Sequence, residues 1–235
     1  MPTDFDRVLA VVAHPDDLEY GASAAIAVWT DAGKVVTYVL VSKGEAGVDG
    51  LEPALCGPIR MREQIEAARC VGVDVVEFLD HSDGVIEHSV DLRRDIAAAI
   101  RRHRPELIVT LNHEDNWGGL GWNSPDHRNT GRAVLDAVGD AGNCWIFPEQ
   151  INEGLQQWGG VRWVAIAGSS NPTHAVAVAA GLERAIASLE AHATYLAALG
   201  GDMADARTFL TGIASGNAER FGGRVATTFQ LIATG

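Results

Sequence analysis

An α/β fold with a mainly parallel sheet is predicted by three features of this 235-residue chain: short apolar runs recur along it, helical stretches separate them, and a His-Pro-Asp-Asp cluster closes the first run. Runs of strand length alternating with helical patterns read as βαβ units, which assemble into parallel sheets. The first four runs are 8–12, 35–41, 75–79 and 107–111, and the helices between them are expected over 18–31, 58–71 and 90–103. The last of these carries Arg101, Arg102 and His103 in its final turn with Pro105 just beyond. Cations suit the negative end of a helix dipole, and a proline there marks the stop. A long loop over 112–125 leads to a fourth helix over 127–137. Beyond residue 160 the pattern gives a strand (161–167), a short apolar run (175–178), a helix (181–199), another helix from about 204, and a final strand near 225–233. No repeat, low-complexity tract or linker interrupts this order, so a single domain over 1–235 is expected.

Composition narrows the partners. Hydrophobic residues make up 47% of the chain and mean hydropathy is near zero, values typical of a soluble globular protein with a sizeable core. A net charge of −13 argues against nucleic acid, whose binders normally carry a basic stripe. No run has transmembrane length, and acidic residues precede the first short apolar run where a signal peptide would carry positive charge. A cytoplasmic protein with no membrane partner is the expectation. Cys56, Cys70 and Cys144 are odd in number, far apart and without C-x-x-C spacing, so they read as reduced and structural.

The chemistry is expected at residues 13–17, Ala-His-Pro-Asp-Asp. The carboxyl ends of strands line the ligand crevice of an open α/β sheet, which would hang His14, Asp16 and Asp17 over it. If 14–17 form a first helical turn, His14 and Asp17 share a face and Asp16 points elsewhere. That division supplies two metal ligands and leaves one carboxylate free as a base, as a hydrolytic zinc site requires. Aspartates that merely cap a helix are the plainer alternative for either residue alone. The third ligand is expected from Asp126-His127-Arg128, at the end of the 112–125 loop, with His127 the best candidate. Among eight histidines, His81, His88 and His103 read as surface or helix-end residues, while His14, His113 and His127 fall at the expected mouth of the sheet. Loops as long as 112–125 are usually functional or disordered, and Trp117 and Trp122 argue against disorder, as loop anchors or as a stacking wall for a ring.

Residues 13–19 (AHPDDLE), 42–47 (SKGEAG), 60–73 (RMREQIEAARCVGV), the pair Asp83-Gly84 and residues 124–131 (SPDHRNTG) occur in the order found in LmbE/PIG-L-like N-deacetylases. The chain resembles that zinc-dependent family over most of its length. The resemblance implies a Rossmann-like three-layer α/β fold with its site at the C-terminal ends of the strands. It implies a hydrolase that uses Zn2+ to activate water and removes an N-acetyl or related N-acyl group from a small amino-sugar compound, such as one containing N-acetylglucosamine. His14, Asp17 and His127 match the zinc ligands, Asp16 the general base and acid, and Arg60 and Asp83 the substrate contacts. The family often places an oxyanion-stabilising histidine where this chain has Ser124, so that role is expected to fall more on the zinc, with His113 or His192 as donor. Asp126 is expected to orient a ligand from behind, as metal sites require, and Glu45 to lie near the site. Related folds often form homo-oligomers. Two other readings remain open: a metal-dependent phosphoesterase of the DHH type, whose aspartates and histidines are spaced differently, and a non-catalytic sugar or nucleotide binder on the same fold. Dinucleotide binding is disfavoured because no G-x-G-x-x-G follows a strand.

Overall fold

A computed structural model describes residues 1–234. Alternation along the first strand, β1 (Arg7–Val12), sets the layers: Val8, Ala10 and Val12 enter one apolar cluster, Leu9 and Val11 the other. Strands buried on both faces are near-continuous apolar runs, as parallel sheets covered on both sides demand. β2 (Val35–Leu40), β3 (Val75–Phe78), β4 (Leu107–Leu111), β5 (Trp163–Ala167), β6 (His174–Ala177) and β7 (Ala226–Ala233) complete a seven-stranded sheet ordered β3-β2-β1-β4-β5-β7-β6. β1 to β5 pair in parallel, and β7 is antiparallel to both its neighbours.

The helices are α1 (Asp17–Gly21), α2 (Ser23–Asp31), α3 (Pro53–Cys70), α4 (Val90–His103), α5 (Pro125–Ala141), α6 (Pro148–Asn152), α7 (Leu182–Glu190), α8 (Ala193–Leu199) and α9 (Ala206–Gly216). One sheet face is covered by α4 and α5 through Leu92, Ile96, Ile100, Val134 and Ala137. The other packs under α2, α7 and α9 through Ile26, Ile186, Leu189 and Leu210. This three-layer arrangement is the expected one.

Several boundaries differ from the sequence expectation. The helix expected over 18–31 is two helices, because Ala22 leaves helical backbone at φ −142°. Gly21 lies so close to β4 that a Cβ there would stand 2.9 Å from Leu111 Cδ1. The second expected helix begins at Pro53, at the favoured first-turn position for proline, and runs on through Pro58. The helix expected over 181–199 breaks at Ala191 and His192 into α7 and α8. The fourth helix is longer than expected at both ends, and α6 has no counterpart among the expected elements.

The order 3-2-1-4-5 reverses between β1 and β4. In open α/β sheets the crevice forms outside the carboxyl ends of the strands at such a reversal. His14 follows β1 by two residues, so the topology alone carries it there.

Candidate metal centre

After β1 the chain turns at once. Asp16 sits in left-handed backbone at φ +88°, a conformation aspartate tolerates better than most residues but which still carries strain. Its N–H donates to Gln64 Oε1 at 3.0 Å, tying the turn to α3. The expected helical turn over 14–17 is therefore replaced by this strained turn, with α1 starting only at Asp17. The outcome for the side chains is similar: Asp17 Oδ2 accepts the His14 backbone N–H at 2.9 Å and lies 3.6 Å from His14 Nδ1. Asp16 faces the other way, toward Arg60.

His127 arrives from α5, whose N-cap is Ser124, the serine oxygen accepting the His127 N–H at 3.1 Å. Its Nε2 lies 3.0 Å from Asp17 Oδ1. His14, Asp17 and His127 thus offer one donor atom each, all within 4.8 Å of one another. The other nitrogen of each imidazole is also held. His14 Nε2 lies 3.1 Å from both Asp83 Oδ1 and Asp126 Oδ2. His127 Nδ1 lies 2.9 Å from Asn123 Oδ1. Carboxylate or amide oxygens behind a histidine fix its tautomer and aim the opposite nitrogen, the arrangement metal-binding histidines require.

His14, Asp83 and Asp126 form a second possible donor group. Asp126, however, is buried and accepts the backbone N–H groups of Gly84 (2.7 Å) and Ile86 (3.1 Å), whereas all three members of the first group border the main cavity. A site that must keep a position open for water needs donors on the cavity side. The electrostatics agree. Burial disfavours the Asp17 anion, yet His127 and His14 overcome it and hold the carboxyl well below its usual range. Burial likewise opposes charge on His14, but Asp17, Asp126 and Asp83 keep its pKa well above the ordinary value.

Asp16 has a different environment. Burial pushes its carboxyl up to about 6, only partly offset by the Arg60 guanidinium. Arg60 is itself buried and donates to Asp16 Oδ2 at 2.7 Å, to Pro15 O at 2.5 Å and to Gly44 O at 3.3 Å, with the Tyr195 ring 4.3 Å beneath it. The residue expected to contact substrate is in this structure committed to Asp16, although it borders the cavity. Asp83 also borders the cavity, with Oδ1 on His14 and Oδ2 accepting the Ala46 N–H at 2.9 Å. Glu45 stands one layer back and accepts the Asp83 N–H at 2.9 Å.

The two expected oxyanion donors are placed elsewhere. His113 packs under α5 against Gly131, and His192 is fully buried 3.5 Å from Glu19; neither borders the cavity. Ser124, the position of the family's histidine, does border it. Trp117 meets His127 edge-on at 5.9 Å and also borders the cavity, whereas Trp122 lies exposed over Arg128. Sequence reasoning missed Asn123, Gln64 and Glu19. Asn123 is oriented by its own Nδ2, which donates to Asn112 O and Glu114 O and leaves only Oδ1 to face His127. Gln64 Nε2 donates to Glu19 Oε1 at 3.1 Å, which also accepts from Ser188 Oγ at 3.1 Å, forming a buried polar chain behind Asp16. Nothing in the spacing of these residues signals such contacts.

The fold and site define a class: a three-layer α/β protein with a two-histidine, one-carboxylate donor set beside a separate buried carboxylate. The chain belongs to the PIG-L family, described as GlcNAc-PI de-N-acetylase, whose model matches residues 9–138. That stretch holds every donor and Asp16. The chain is 33% identical over 145 residues to the diacetylchitobiose deacetylase of Thermococcus kodakarensis, covering 59% of this chain and 51% of that protein. It thus spans about half the length of that relative. In three dimensions it resembles the N,N'-diacetylchitobiose deacetylase of Pyrococcus horikoshii, solved with its inhibitor MPG, at a TM-score of 0.87 and 24% identity, covering 97% of this chain and 84% of that one. It also resembles GalB, the 4-carboxy-2-hydroxymuconate hydratase of Pseudomonas putida KT2440, at a TM-score of 0.76 and 18% identity, covering 98% and 96%. These likenesses establish the fold. Among the described residues no helix is long and apolar enough to cross a membrane.

Proposed function

We propose that this chain is a zinc-dependent hydrolase that removes an N-acetyl, or related N-acyl, group from a small amino-sugar compound. One observation carries the reading: His14, Asp17 and His127 converge at the cavity, while Asp16, adjacent in sequence to a donor, borders the same cavity but is paired with Arg60 and kept out of the donor set. The curated relative is named for deacetylating a sugar, and the acidic chain with three free cysteines supports a cytoplasmic, non-nucleic-acid setting.

The donor set fits zinc: two imidazole nitrogens and a carboxylate oxygen, with the cavity beside them for a fourth position. Bound there, the metal would supply Lewis acidity toward water and the amide carbonyl. The chain's own residues supply the rest. Asp16 borders the cavity with its carboxylate held by Arg60, and would take a proton from the attacking water and return it to the leaving nitrogen. A carboxyl pushed up to about 6 suits both tasks near neutrality, since it is mostly anionic before the reaction yet basic enough to hold the proton. Asn123, Asp83 and Asp126 keep the imidazoles aimed. Ser124 and Trp117 border the same space and would line the path of the sugar.

Metal content of the purified protein, with acetate and amine release screened over N-acetylated sugars before and after chelation, tests this. Zinc at one per chain and chelator-sensitive release of equal acetate and amine is the expected result. A metal-free, chelator-insensitive protein rules the reading out, and a hydratase on this fold would consume its substrate without releasing amine.

A further inference from the structure

The cavity over His14, Asp17 and His127 has a volume of about 1060 Å³, at the upper edge of the roughly 300–1,000 Å³ usual for small-molecule pockets. One amino sugar does not fill it. From the donors it extends between α1 and α9 toward β7, and this arm is walled by Tyr20, Leu182, Phe209, Leu210, Ile213 and Ala214. Tyr20 forms the junction. Its hydroxyl donates to Met203 O at 2.9 Å, and its ring meets Phe209 edge-on at 5.2 Å.

Two features give the arm its specificity. Apart from Glu19, whose carboxylate is taken up by Gln64 and Ser188, the charged side chains bordering the cavity belong to the metal end, and the wall beyond residue 180 contributes only apolar and uncharged polar groups. A second sugar ring would strip water from its hydroxyls against Leu182, Leu210 and Ala214, which return no hydrogen bond, and such desolvation is unfavourable even with Asn217, Thr227 and Thr228 elsewhere in the wall. An aliphatic or aromatic group gains from the same burial. Apart from Tyr20, these wall residues also lie outside 9–138, the stretch matched by the family model.

We propose that this arm binds an uncharged apolar group carried by the substrate. The inference rests on the deacylase reading for its chemistry but not for its binding. The group can reach the arm from the amide side, as an acyl chain longer than acetyl, or from the amine side, as an apolar group linked to the sugar.

Amine release is measured from N-acetylglucosamine, N-octanoylglucosamine, octyl N-acetyl-β-glucosaminide and N,N'-diacetylchitobiose. Each buried methylene is worth about fourfold in affinity, so a partly buried octyl chain is expected to lower KM by about 100-fold relative to N-acetylglucosamine. Diacetylchitobiose gains no such factor, and the octyl compound that does identifies the side from which the arm is reached. Ala214→Phe, and independently Thr228→Phe on β7, narrow the arm and are expected to reduce the octyl preference at least tenfold. Fluorescence of N-phenyl-1-naphthylamine, displaced by octyl glucoside, reads the arm without any turnover. Dye binding that both substitutions weaken supports the arm even if no substrate releases amine, an outcome that defeats only the deacylase reading. Equal KM for all four compounds together with no displaceable dye overturns the proposal.

Discussion

Asp16→Asn isolates proton transfer from metal binding. Asparagine keeps an oxygen acceptor for Arg60, whose Nη2 lies 2.7 Å from Asp16 Oδ2, and it tolerates the left-handed backbone at φ +88°. Alanine at this position would add about 1–2 kcal/mol of backbone strain and leave Arg60 without its partner, so Asn is the cleaner probe. Breaking a buried ion pair outright costs about 3–5 kcal/mol, and because the amide oxygen still accepts the guanidinium, the stability loss should fall below that range. Turnover should fall far more than stability suggests. General acid–base catalysis contributes about 10²–10⁴-fold, or about 2.7–5.5 kcal/mol of barrier, and the amide can neither take nor return the proton. Metal should stay, because Asp16 is outside the His14, Asp17, His127 group. The assay is metal per chain after dialysis, amine release at saturating substrate, and a thermal melt as the folding control. A variant that keeps more than a tenth of wild-type turnover removes Asp16 as the proton carrier, and one that folds but loses its metal places Asp16 among the donors.

Other perturbations test the surrounding structure. Asn123→Ala removes the oxygen 2.9 Å from His127 Nδ1 and should weaken zinc binding by about 10–100-fold in a competitive chelator titration; unchanged affinity would show that the His127 tautomer is set by something else. Gly181→Ala would place a Cβ 2.4 Å from the Ala24 carbonyl oxygen, which is backbone and cannot swing aside, so urea unfolding should show a loss of about 1–3 kcal/mol. Burial opposes the Glu106 anion, but the backbone N–H groups of Arg7 (2.7 Å) and Asp6 (3.2 Å) and the Arg7 guanidinium outweigh it and lower the pKa. A lowered folded pKa gives stability that is present above the unfolded value, about 4.3, and lost as pH falls through the folded one. Glu106→Gln should therefore cost about 1 kcal/mol at pH 7, with the difference from wild type shrinking when urea unfolding is repeated near pH 3.5. A difference that does not change with pH would rule out this linkage.

Elements whose signals are local are legible in the sequence itself. α4 starts at Val90 and ends at His103 as expected, because Ser89 caps it through the Leu92 N–H at 3.1 Å and Arg104 closes it in left-handed backbone. β4 likewise occupies 107–111, an apolar run buried on both faces. The break at Ala22 is not legible, since Ser23 to Asp31 continue a helical pattern, and beside the break the chain runs so close to β4 that a Cβ on Gly21 would stand 2.9 Å from Leu111 Cδ1. The turn at 14–17 shows the same limit: its composition reads as a candidate metal site, but its left-handed Asp16 is tied by a hydrogen bond to Gln64, 48 residues away.

The sequence by itself determined which side chains meet at the mouth of the sheet, because the order of strands and helices carries the ends of β1 and α5's first turn to one edge. That Asp16 and Asp17 point in different directions was also readable there. Only the tertiary structure decided what each group faces. It turned Arg60 onto Asp16, set Asn123, Asp83 and Asp126 behind the imidazoles, removed His113 and His192 from the cavity, and built an apolar arm from α7 and α9. Strand and helix patterning acts over a few neighbouring residues, whereas, apart from Asn123 and His127 four positions apart, these contacts join residues 44 to about 190 positions apart, and packing sets their direction.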